Sequence, residues 1–368
     1  MMTDAMNAIL SQFAFRGVFQ SAKELTSGNI NTTYHLVYDD QGAQRHYVLQ
    51  RINSYVFKNP QGVMSNIARV TEHMRNSLLR SQQNPERRVL EIIRTVDDQL
   101  MYVENDNFWR AYVFITDATA YDTVDSPALF CEIGRAFGNF QKLLYDFPAD
   151  ELFESIPDFH NTAKRFITFE ASVKKDAANR AAEVKEEIDF LYARRDMMSS
   201  IVRLIDEGKM PLRVTHNDTK SNNIMVDKAT GKGLCVIDLD TVMPGSALYD
   251  YGDAIRFGAN TAAEDEPDVS KISLDLDKTY AFTKGFIEET NGFLTDEELH
   301  LLPLGVKVLT CELAMRFLTD YLDGDLYFKI NSPQHNLVRT RAQIALLKDI
   351  ERKETQLQEM VDQLIANK

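Results

Sequence analysis

The sequence is poor in cysteine and tryptophan, with three cysteines and one tryptophan in 368 residues. Cys131, Cys235 and Cys311 are widely separated and stand among apolar residues, without the paired spacing of zinc ligands or of a disulfide framework. This pattern excludes a small fold held together by metal or disulfide bonds. We expect all three side chains to be buried thiols.

Long apolar segments are also missing. No run of about 18 apolar residues occurs anywhere in the chain. The N-terminal stretch contains neither a basic leader nor a long apolar core. We therefore expect a cytoplasmic protein without a membrane partner.

Positive charge is scarce as well. Lys and Arg total 41 against 55 Asp and Glu, which gives a formal net charge of -14 at pH 7. Long-range repulsion of this sign opposes binding to nucleic-acid backbones, so we expect no nucleic-acid partner. Any site for an anionic ligand must be locally positive or filled by a metal ion.

The patterns that are present predict an α+β fold. A hydrophobic content of 44% is ample for packed cores, and the length allows two domains of about 100 to 200 residues each. Strand-like segments at 22–25, 33–38 and 46–50 come early, and the later patterns are mostly helical. We expect a small β-rich N-terminal lobe, 1–116, and a larger, mostly helical C-terminal lobe, 117–368.

Apolar spacing and capping residues predict further elements along the chain. The predicted strands are 89–95, 100–104 and 109–115, and the predicted helices are 4–14, 62–81, 129–144, 160–173, segments within 178–207, 274–291, one opened by the capping box Thr295–Glu298, and a single final helix, 337–365.

The densest group of reactive side chains lies between residues 214 and 253. Asp218 and Asn223 lie five residues apart on a polar loop between two short apolar runs, and Asp238 ends a third run. A carboxylate at Asp218 can accept the proton of a substrate hydroxyl. Asn223 and Asp238 offer hard oxygen ligands that suit Mg²⁺ bound to ATP phosphates. A base followed by two metal ligands predicts phosphoryl transfer.

A small-residue turn lies between the first two predicted strands. Ser27 and Gly28 could bring backbone N–H groups close to phosphate oxygens, because glycine has no side chain to block the approach. A plain hairpin turn explains the same residues.

The third predicted strand ends with Gln50 and Arg51, where a kinase usually carries the lysine that pairs with the nucleotide phosphates. Successive strand residues face opposite sides, so only one of the two can face the nucleotide, and the sequence leaves both open. Glu72, on the predicted helix 62–81, either pairs with a strand cation or is a solvated surface residue.

The run 109–115 is continuous, apolar and aromatic, which fits the last strand of the first lobe and the hinge after it. The exposed backbone of Phe114 and Ile115 could then hydrogen-bond an adenine edge. A plain buried strand fits the same composition.

The central segment resembles the aminoglycoside phosphotransferase and choline kinase group of protein-kinase-like enzymes. The match consists of His216 and Asp218, Asn223 five residues after the Asp, and Asp238 after an isoleucine; Asn217 stands where the group usually has Gly. The whole chain resembles more closely the N-acetylhexosamine 1-kinases. Blocks of this resemblance are 28–34, 47–50, 213–224, 238–245, 256–258, 315–322 and 335–339, which extend over nearly the full length.

The resemblance implies a protein-kinase-like two-lobed fold that uses ATP and Mg²⁺. It implies phosphorylation of the anomeric hydroxyl of N-acetylglucosamine or N-acetylgalactosamine to the sugar 1-phosphate. By position, Asp218 would orient or deprotonate the sugar hydroxyl, and Asn223 and Asp238 would hold Mg²⁺. His216 would anchor the loop, and Asp253 would brace it from a helix start.

The resemblance also implies sugar contacts from Arg316 and Tyr327, with Asn29 and Asn31 reaching down from the small lobe. An internal salt bridge between Arg316 and Asp320, with packed tyrosines, explains the same segment equally well.

Two other functions stay open at the level of sequence. A degenerate kinase fold could bind nucleotide or sugar without turnover, since Gln50 departs from the general kinase pattern, although intact Asp218, Asn223 and Asp238 argue against it. An active kinase could instead act on another sugar, a choline-like amino alcohol or an aminoglycoside; an acidic substrate cleft would favour the two cationic classes. The expected partners are ATP and a small sugar, and a monomer is favoured although the sequence does not fix the oligomeric state.

Overall fold

The computed structural model describes residues 4–26 and 30–367. Within these ranges no helix is long and apolar enough to span a membrane. Strands dominate the early part of the chain and helices the later part, so the predicted α+β class is confirmed.

The strands of the described residues form three sheets, and the two larger ones are antiparallel. In chain order they are β1 (Val18–Leu25), β2 (Thr32–Asp40), β3 (Ala43–Ile52), β4 (Ile92–Ile93), β5 (Tyr102–Glu104), β6 (Asn107–Val113), β7 (Ala118–Thr119), β8 (Arg213–Thr215), β9 (Ile224–Asp227), β10 (Gly233–Val236) and β11 (Met243–Gly245).

The helices of the same residues range from one turn to six turns. In chain order they are α1 (Asp4–Leu10), α2 (Pro60–Arg80), α3 (Pro127–Leu143), α4 (Thr162–Lys175), α5 (Lys185–Tyr192), α6 (Arg195–Met198), α7 (Ser200–Asp206), α8 (Ala247–Gly258), α9 (Leu276–Thr290), α10 (Asp296–His300), α11 (Leu302–Asp323), α12 (His335–Arg352) and α13 (Glu354–Ala366).

The chain divides into two compact units, neither of which is continuous in sequence. Unit 1 comprises Met1–Ala120, Glu151–Ile156 and Ile224–Met243, and unit 2 comprises Tyr121–Asp150, Pro157–Asn223 and Pro244–Lys368. The sequence predicted two continuous lobes, 1–116 and 117–368, because composition gives no signal for a later segment that returns to an earlier unit.

The main sheet of unit 1 has the strand order β1-β2-β3-β6-β4, with β5 paired to β6. One face carries alternate residues such as Leu36, Leu49 and Ala111, which form an apolar core together with Ile9 and Leu10 of α1. The opposite face carries the intervening residues, which include the polar Thr33, Gln50 and Arg110 as well as the apolar Val48 and Ile52; we call it the polar face. A second, smaller sheet of the unit has the order β10-β9-β7.

Helix α2 is the long helix of unit 1. Asn59 caps its N-terminus by accepting a hydrogen bond from the Gly62 N–H, and Pro60 occupies the first turn. Its buried residues include Val63, Ile67, Val70 and Met74, which recur at helical spacing as the sequence predicts.

Unit 2 is helical and is organised around α11. This helix is buried on nearly all sides, and its residues Met315 and Leu318 share a core with Phe169 of α4 and Leu347 of α12. The spacing of Arg316 and Asp320 predicted a helix in this segment but not its bounds, because a helix without a polar face lacks the one-sided apolar pattern on which prediction depends.

Two sequence predictions in unit 2 need correction. The single final helix is two helices, α12 and α13, which meet at Lys353; its ammonium group donates to the Leu274 carbonyl oxygen at 2.7 Å and to Asp349 at 2.8 Å. Cys131 is half-buried rather than buried, because it lies beside the buried stripe of α3. The capping box Thr295–Glu298 is confirmed at the start of α10.

Candidate active site

The polar loop that contains Asp218 belongs to unit 2. It begins after β8 and ends at Asn223. Asp218 is half-buried, and its Oδ1 accepts from the Lys220 ammonium at 2.8 Å. The Asn223 amide nitrogen donates to the Asp218 carbonyl oxygen at 2.8 Å and to its Oδ2 at 3.2 Å. The structure therefore brings together the predicted base and one predicted metal ligand, and adds a cation that the sequence analysis missed.

Lys220 stays charged in this position. Burial alone lowers the pKa of its ammonium group, but the carboxylates of Asp218, Asp253 and Glu264 together outweigh burial, so the pKa is raised. The signal for this residue was available in the sequence as a basic side chain two positions after Asp218.

Helix α8 fixes the backbone of this loop through Asp250. Its two carboxylate oxygens accept the N–H groups of His216 at 2.9 Å and Asn217 at 2.8 Å, and the Gln141 amide donates to it at 2.8 Å. Asp250 is 1% exposed, so these bonds replace its hydration. Asp250 was not predicted from the sequence, although it lies three residues before Asp253, the predicted brace, and so on the same helix face.

Asn217 adopts the left-handed backbone region, with φ of 65°. Glycine enters this region without strain, and asparagine is one of the few other residues that tolerate it. The departure from the glycine of the resembling group therefore preserves the backbone path of the loop.

Asp253 braces the other side of the loop by accepting the Thr219 N–H at 3.0 Å. It lies inside α8 rather than at the helix start that the sequence predicted, because the helix already begins at Ala247. Arg256 holds its second oxygen at 2.7 Å. Burial alone raises the pKa of Asp253, but the Arg256 guanidinium outweighs it and keeps that pKa lowered.

His216 is fully buried between the rings of Phe137 and Phe140, at centroid distances of 5.8 and 5.9 Å. Its Nδ1 accepts the N–H of Asp218 at 3.3 Å. A ring enclosed in this way is placed to hold the loop, as the resemblance implies for it.

Unit 1 carries Asp238, which follows β10 and has φ of 58° in the left-handed region. Two residues later, Asp240 is 3% exposed and receives the Arg110 guanidinium on both oxygens, and the Asn31 amide donates to its Oδ2 at 2.8 Å. Asp240 is thus committed to contacts with other side chains of unit 1. Asp238, the predicted metal ligand, is the other carboxylate of this turn.

Asn31 was predicted to contact the sugar. Both polar ends of its side chain are used within unit 1, because its Oδ1 accepts the Asn53 N–H at 3.0 Å while its amide nitrogen donates to Asp240. Ser27, Gly28 and Asn29, the other predicted contacts of this segment, lie outside the described residues.

Gln50 and Arg51 face opposite sides of the main sheet. Gln50 donates to Thr33 Oγ1 at 3.0 Å and accepts from Arg110 Nε at 3.0 Å, so it shares a face with Arg110 and Asp240. Arg51 is exposed, and its guanidinium lies 6.0 Å from the Trp109 ring centroid. Gln50 is therefore the residue on the polar face.

Phe114 and Ile115 follow the end of β6. The Phe114 N–H donates to the His46 carbonyl oxygen at 3.0 Å, so this donor extends the ladder between β3 and β6 instead of facing outward. The Phe114 ring centroid lies 4.3 Å from that of His35, and Ile115 is 8% exposed.

Arg316 and Tyr327, the predicted sugar contacts of unit 2, are close together. The Arg316 guanidinium lies 5.9 Å from the Tyr327 ring centroid, 5.1 Å from that of Phe159 and 5.6 Å from that of Phe328. Its carboxylate neighbour is Glu312 at 3.7 Å.

Asp320 has a different task from the predicted salt bridge. It accepts the backbone N–H groups of Leu326, Tyr327 and Phe328 at 2.7 to 3.0 Å, and so shapes the segment after α11. Tyr327 itself is 64% exposed.

The predicted metal ligands, Asn223 of unit 2 and Asp238 of unit 1, each carry the kind of oxygen atom that Mg²⁺ prefers. Among residues 4–26 and 30–367 there is no cluster of three or more His, Cys, Asp or Glu side chains able to hold a metal ion. Mg²⁺ is usually bound through one or two carboxylates together with substrate phosphates, not by an all-protein cage. Asp238 supplies a carboxylate, and Asn223 supplies an amide oxygen because its nitrogen is used by Asp218.

Comparison with solved structures confirms the protein-kinase-like fold. An aminoglycoside phosphotransferase from Alicyclobacillus acidocaldarius matches with a TM-score of 0.64 at 11% identity, with 99% of this chain and 97% of that chain covered. A microcompartment-associated aminopropanol kinase matches with a TM-score of 0.61 at 15% identity (96% and 99% covered). A spectinomycin phosphotransferase in complex with ADP and spectinomycin matches with a TM-score of 0.56 at 13% identity (97% and 99% covered).

The family model described as "Phosphotransferase enzyme family" matches residues 21–286, which include the polar face of the main sheet, the loop at Asp218, the turn at Asp238 and helix α8. The chain belongs to this phosphotransferase family.

Proposed function

We propose that this protein is an ATP-dependent kinase that phosphorylates the anomeric hydroxyl of N-acetylhexosamines. The observation that carries the proposal is the loop at Asp218. Its carboxylate lies beside the Lys220 ammonium and the Asn223 amide, and the backbone behind it is fixed by Asp250 and Asp253. A binding module has no need of a base held in this way.

In this proposal each side chain has one task. Asp218 accepts the proton of the sugar hydroxyl as that oxygen attacks the γ-phosphorus of ATP, and ADP leaves. Lys220, which lies beside Asp218, offsets phosphate charge. Asn223 and Asp238 would hold Mg²⁺, which when bound neutralises and orients the phosphates. A structural relative that contains ADP supports nucleotide use in this fold.

The charge around Arg316 supports a neutral acceptor. Arg165 and Arg316 share one buried carboxylate, Glu312, at 3.4 and 3.7 Å. Burial and the neighbouring Arg316 lower the pKa of Arg165, as expected where two guanidinium groups lie close together. An excess of positive charge repels choline or an aminoglycoside, whereas a neutral sugar can use the arginine as a donor and the aromatic rings as a wall.

The test is Mg²⁺-dependent ADP release measured with a panel of acceptors: N-acetylglucosamine, N-acetylgalactosamine, glucosamine, glucose, choline and kanamycin. We expect turnover with the two N-acetylhexosamines. The methyl glycoside of N-acetylglucosamine is the matched control, because it retains every group except the free anomeric hydroxyl and should not react. Phosphorus NMR of the product should show a phosphate coupled to the anomeric proton.

Other results would redirect the assignment. Turnover of the methyl glycoside would show that a hydroxyl other than the anomeric one is phosphorylated. Preference for choline or kanamycin would contradict the charge argument. Nucleotide binding without turnover of any acceptor would favour a binding module.

A further inference from the structure

We propose that Arg110 is a positioning residue for the Asp238 turn, and that this buried arginine on β6 replaces the lysine that is missing at the Gln50 position of β3. The inference rests on the proposed phosphotransfer function and deepens it. In protein kinases the lysine of the third strand pairs with a glutamate of a helix. Here the cation instead holds the turn that carries Asp238, the predicted metal ligand.

The cation of this arrangement lies on β6. Arg110 is directly opposite Gln50 in the pairing of β3 with β6, so both side chains lie on the same face of the sheet. Arg110 is 1% exposed, and its Nε donates to Gln50 Oε1 at 3.0 Å. Gln50 therefore orients the guanidinium instead of carrying a charge.

The partner of that cation is Asp240. Both Arg110 Nη atoms bind Asp240, in the two-pronged geometry that makes an arginine–carboxylate pair directional. Helix α2 supplies no carboxylate here: the α2 atom near Arg110 Nη1 is the Met64 sulfur at 3.9 Å, and Glu72 of α2 is exposed. The strand cation Arg110 therefore pairs with Asp240 and not with Glu72.

The pair of Arg110 and Asp240 is linked to Asp238, the predicted metal ligand, through one short turn. Asp240 lies in the short 3₁₀ turn Leu239–Thr241, for which Asp238 is the N-cap. The turn is held from α2 as well, because the Asn66 amide donates to the Val242 carbonyl oxygen at 3.0 Å. The turn is therefore held at two points, at Asp240 by Arg110 and at Val242 by Asn66. We infer that the orientation of the Asp238 carboxylate depends on the contact with Arg110.

Such second contacts govern how well a metal ligand is presented, and their loss typically costs about 10- to 100-fold in metal affinity or activity. We therefore expect Arg110→Met to raise the Mg²⁺ concentration that half-saturates ATP binding by at least about tenfold. Arg110→Lys keeps the charge but not the two-pronged contact, and should recover only part of this loss.

The experiment measures ATP binding by calorimetry across a Mg²⁺ titration, without acceptor, for the wild type, Arg110→Met, Arg110→Lys, Asp240→Asn and the Arg110→Met/Asp240→Asn double variant. If the pair acts as one unit, the double variant should resemble the worse single variant. Arg194→Lys is the matched control, because Arg194 makes a similar two-pronged contact with Glu351, at 2.7 Å on both oxygens, elsewhere in the protein. It should leave the Mg²⁺ dependence unchanged.

The outcomes separate the two proposals. A wild-type Mg²⁺ dependence in Arg110→Met and in Arg110→Lys, even with a lowered melting temperature, would show that Arg110 is only structural. Should Arg110→Met fail to fold, Arg110→Lys alone decides: unchanged Mg²⁺ dependence overturns the inference. A wild type that binds Mg²⁺ and ATP but turns over no acceptor overturns the proposed function and leaves the Arg110 comparison valid. A wild type that binds no ATP overturns both.

Discussion

Asp218 is the residue on which the proposed chemistry depends most directly. We expect Asp218→Asn to lower kcat by about 10²- to 10⁴-fold, because the amide cannot accept the hydroxyl proton. ATP binding should survive, since the amide preserves the shape of the loop. ADP-release kinetics and nucleotide calorimetry on the same preparation check both statements.

A suitable control for that variant is Asp362→Asn, which alters an exposed carboxylate of α13 that pairs with His300. It should keep wild-type rates. If Asp218→Asn also keeps near-wild-type rates, the base lies elsewhere.

Arg316 carries the acceptor part of the proposal. Arg316→Ala should raise the KM for the sugar and lower kcat/KM by about 10- to 150-fold, the equivalent of one hydrogen bond to a charged group worth about 1.5–3 kcal/mol. The KM for ATP should stay unchanged. Arg195→Ala is the matched control, because Arg195 also stacks on a phenylalanine, 5.1 Å from the Phe166 centroid, and pairs with a glutamate. Equal sugar kinetics in the two variants would remove Arg316 from the sugar site.

A fixed spacing in the sequence was enough to propose roles for Asp218, Asn223 and Asp238, and these roles stay predictions. Spacing failed where the partner comes from a distant segment. Nothing local in the sequence indicates that Asp240 binds Arg110, 130 positions earlier in the chain. At the end of β3 the sequence left open whether Gln50 or Arg51 lies on the polar face. The pairing of β3 with β6 shows that it is Gln50.

At the scale of elements, α8 supports the loop that contains Asp218. It presents Asp250 and Asp253 one turn apart, and it packs closely on α11 at Gly252, where a Cβ would lie 2.4 Å from the Gly305 carbonyl oxygen. A helix held this tightly cannot shift without moving the loop.

We therefore expect Asp250→Asn to destabilise the protein and to lower kcat together. One carboxylate oxygen becomes an amide that cannot accept a backbone N–H, and a buried unsatisfied donor costs about 1–3 kcal/mol. Urea unfolding and ADP release on the same variant measure both effects. Asp275→Asn is the control, since Asp275 accepts a backbone N–H as the cap of α9, away from the loop; it should lower stability and spare kcat. A stable Asp250→Asn variant with normal kcat would contradict the support role.

Elements with a one-sided apolar pattern, such as α2 and α9, are predicted to within a few residues. The elements that escaped prediction lack that pattern or change it: α11 is buried all round, and α12 and α13 share one continuous apolar repeat although the backbone breaks at Lys353. Periodicity does not reveal a break that a tertiary contact imposes.

At the scale of the whole molecule, the sequence predicted the class of fold, but it did not indicate that unit 1 includes the later segment 224–243. This inclusion brings the Asp238 turn into the same unit as the main sheet and Arg110. The net charge of -14 likewise describes the molecule as a whole and conceals local positive groups such as Arg110 and Lys220.

Stability should depend on pH in two steps. Burial, together with the nearby His46 and Lys23, lowers the pKa of His35 below its usual 6.5. The unfolded chain then binds the proton more readily than the folded chain, so this contribution is complete above about pH 6.5 and is lost as the pH falls towards the lowered pKa. Burial raises the pKa values of Asp253 and Glu312, but their neighbours together outweigh it and lower both pKa values; the foremost neighbour is Arg256 for Asp253 and His160 for Glu312. Their contributions are lost below about pH 4.

We therefore expect the free energy of unfolding, measured with urea from pH 8 to pH 3, to stay level at first, decline below about pH 6.5 and fall more steeply below about pH 4. His35→Gln should remove the first decline and keep the second, because glutamine does not titrate while the buried carboxylates are unchanged. His300→Gln is the control, since His300 lies at the surface beside Asp362. If His35→Gln loses stability between pH 7 and pH 5 as steeply as the wild type, the first step belongs to another group.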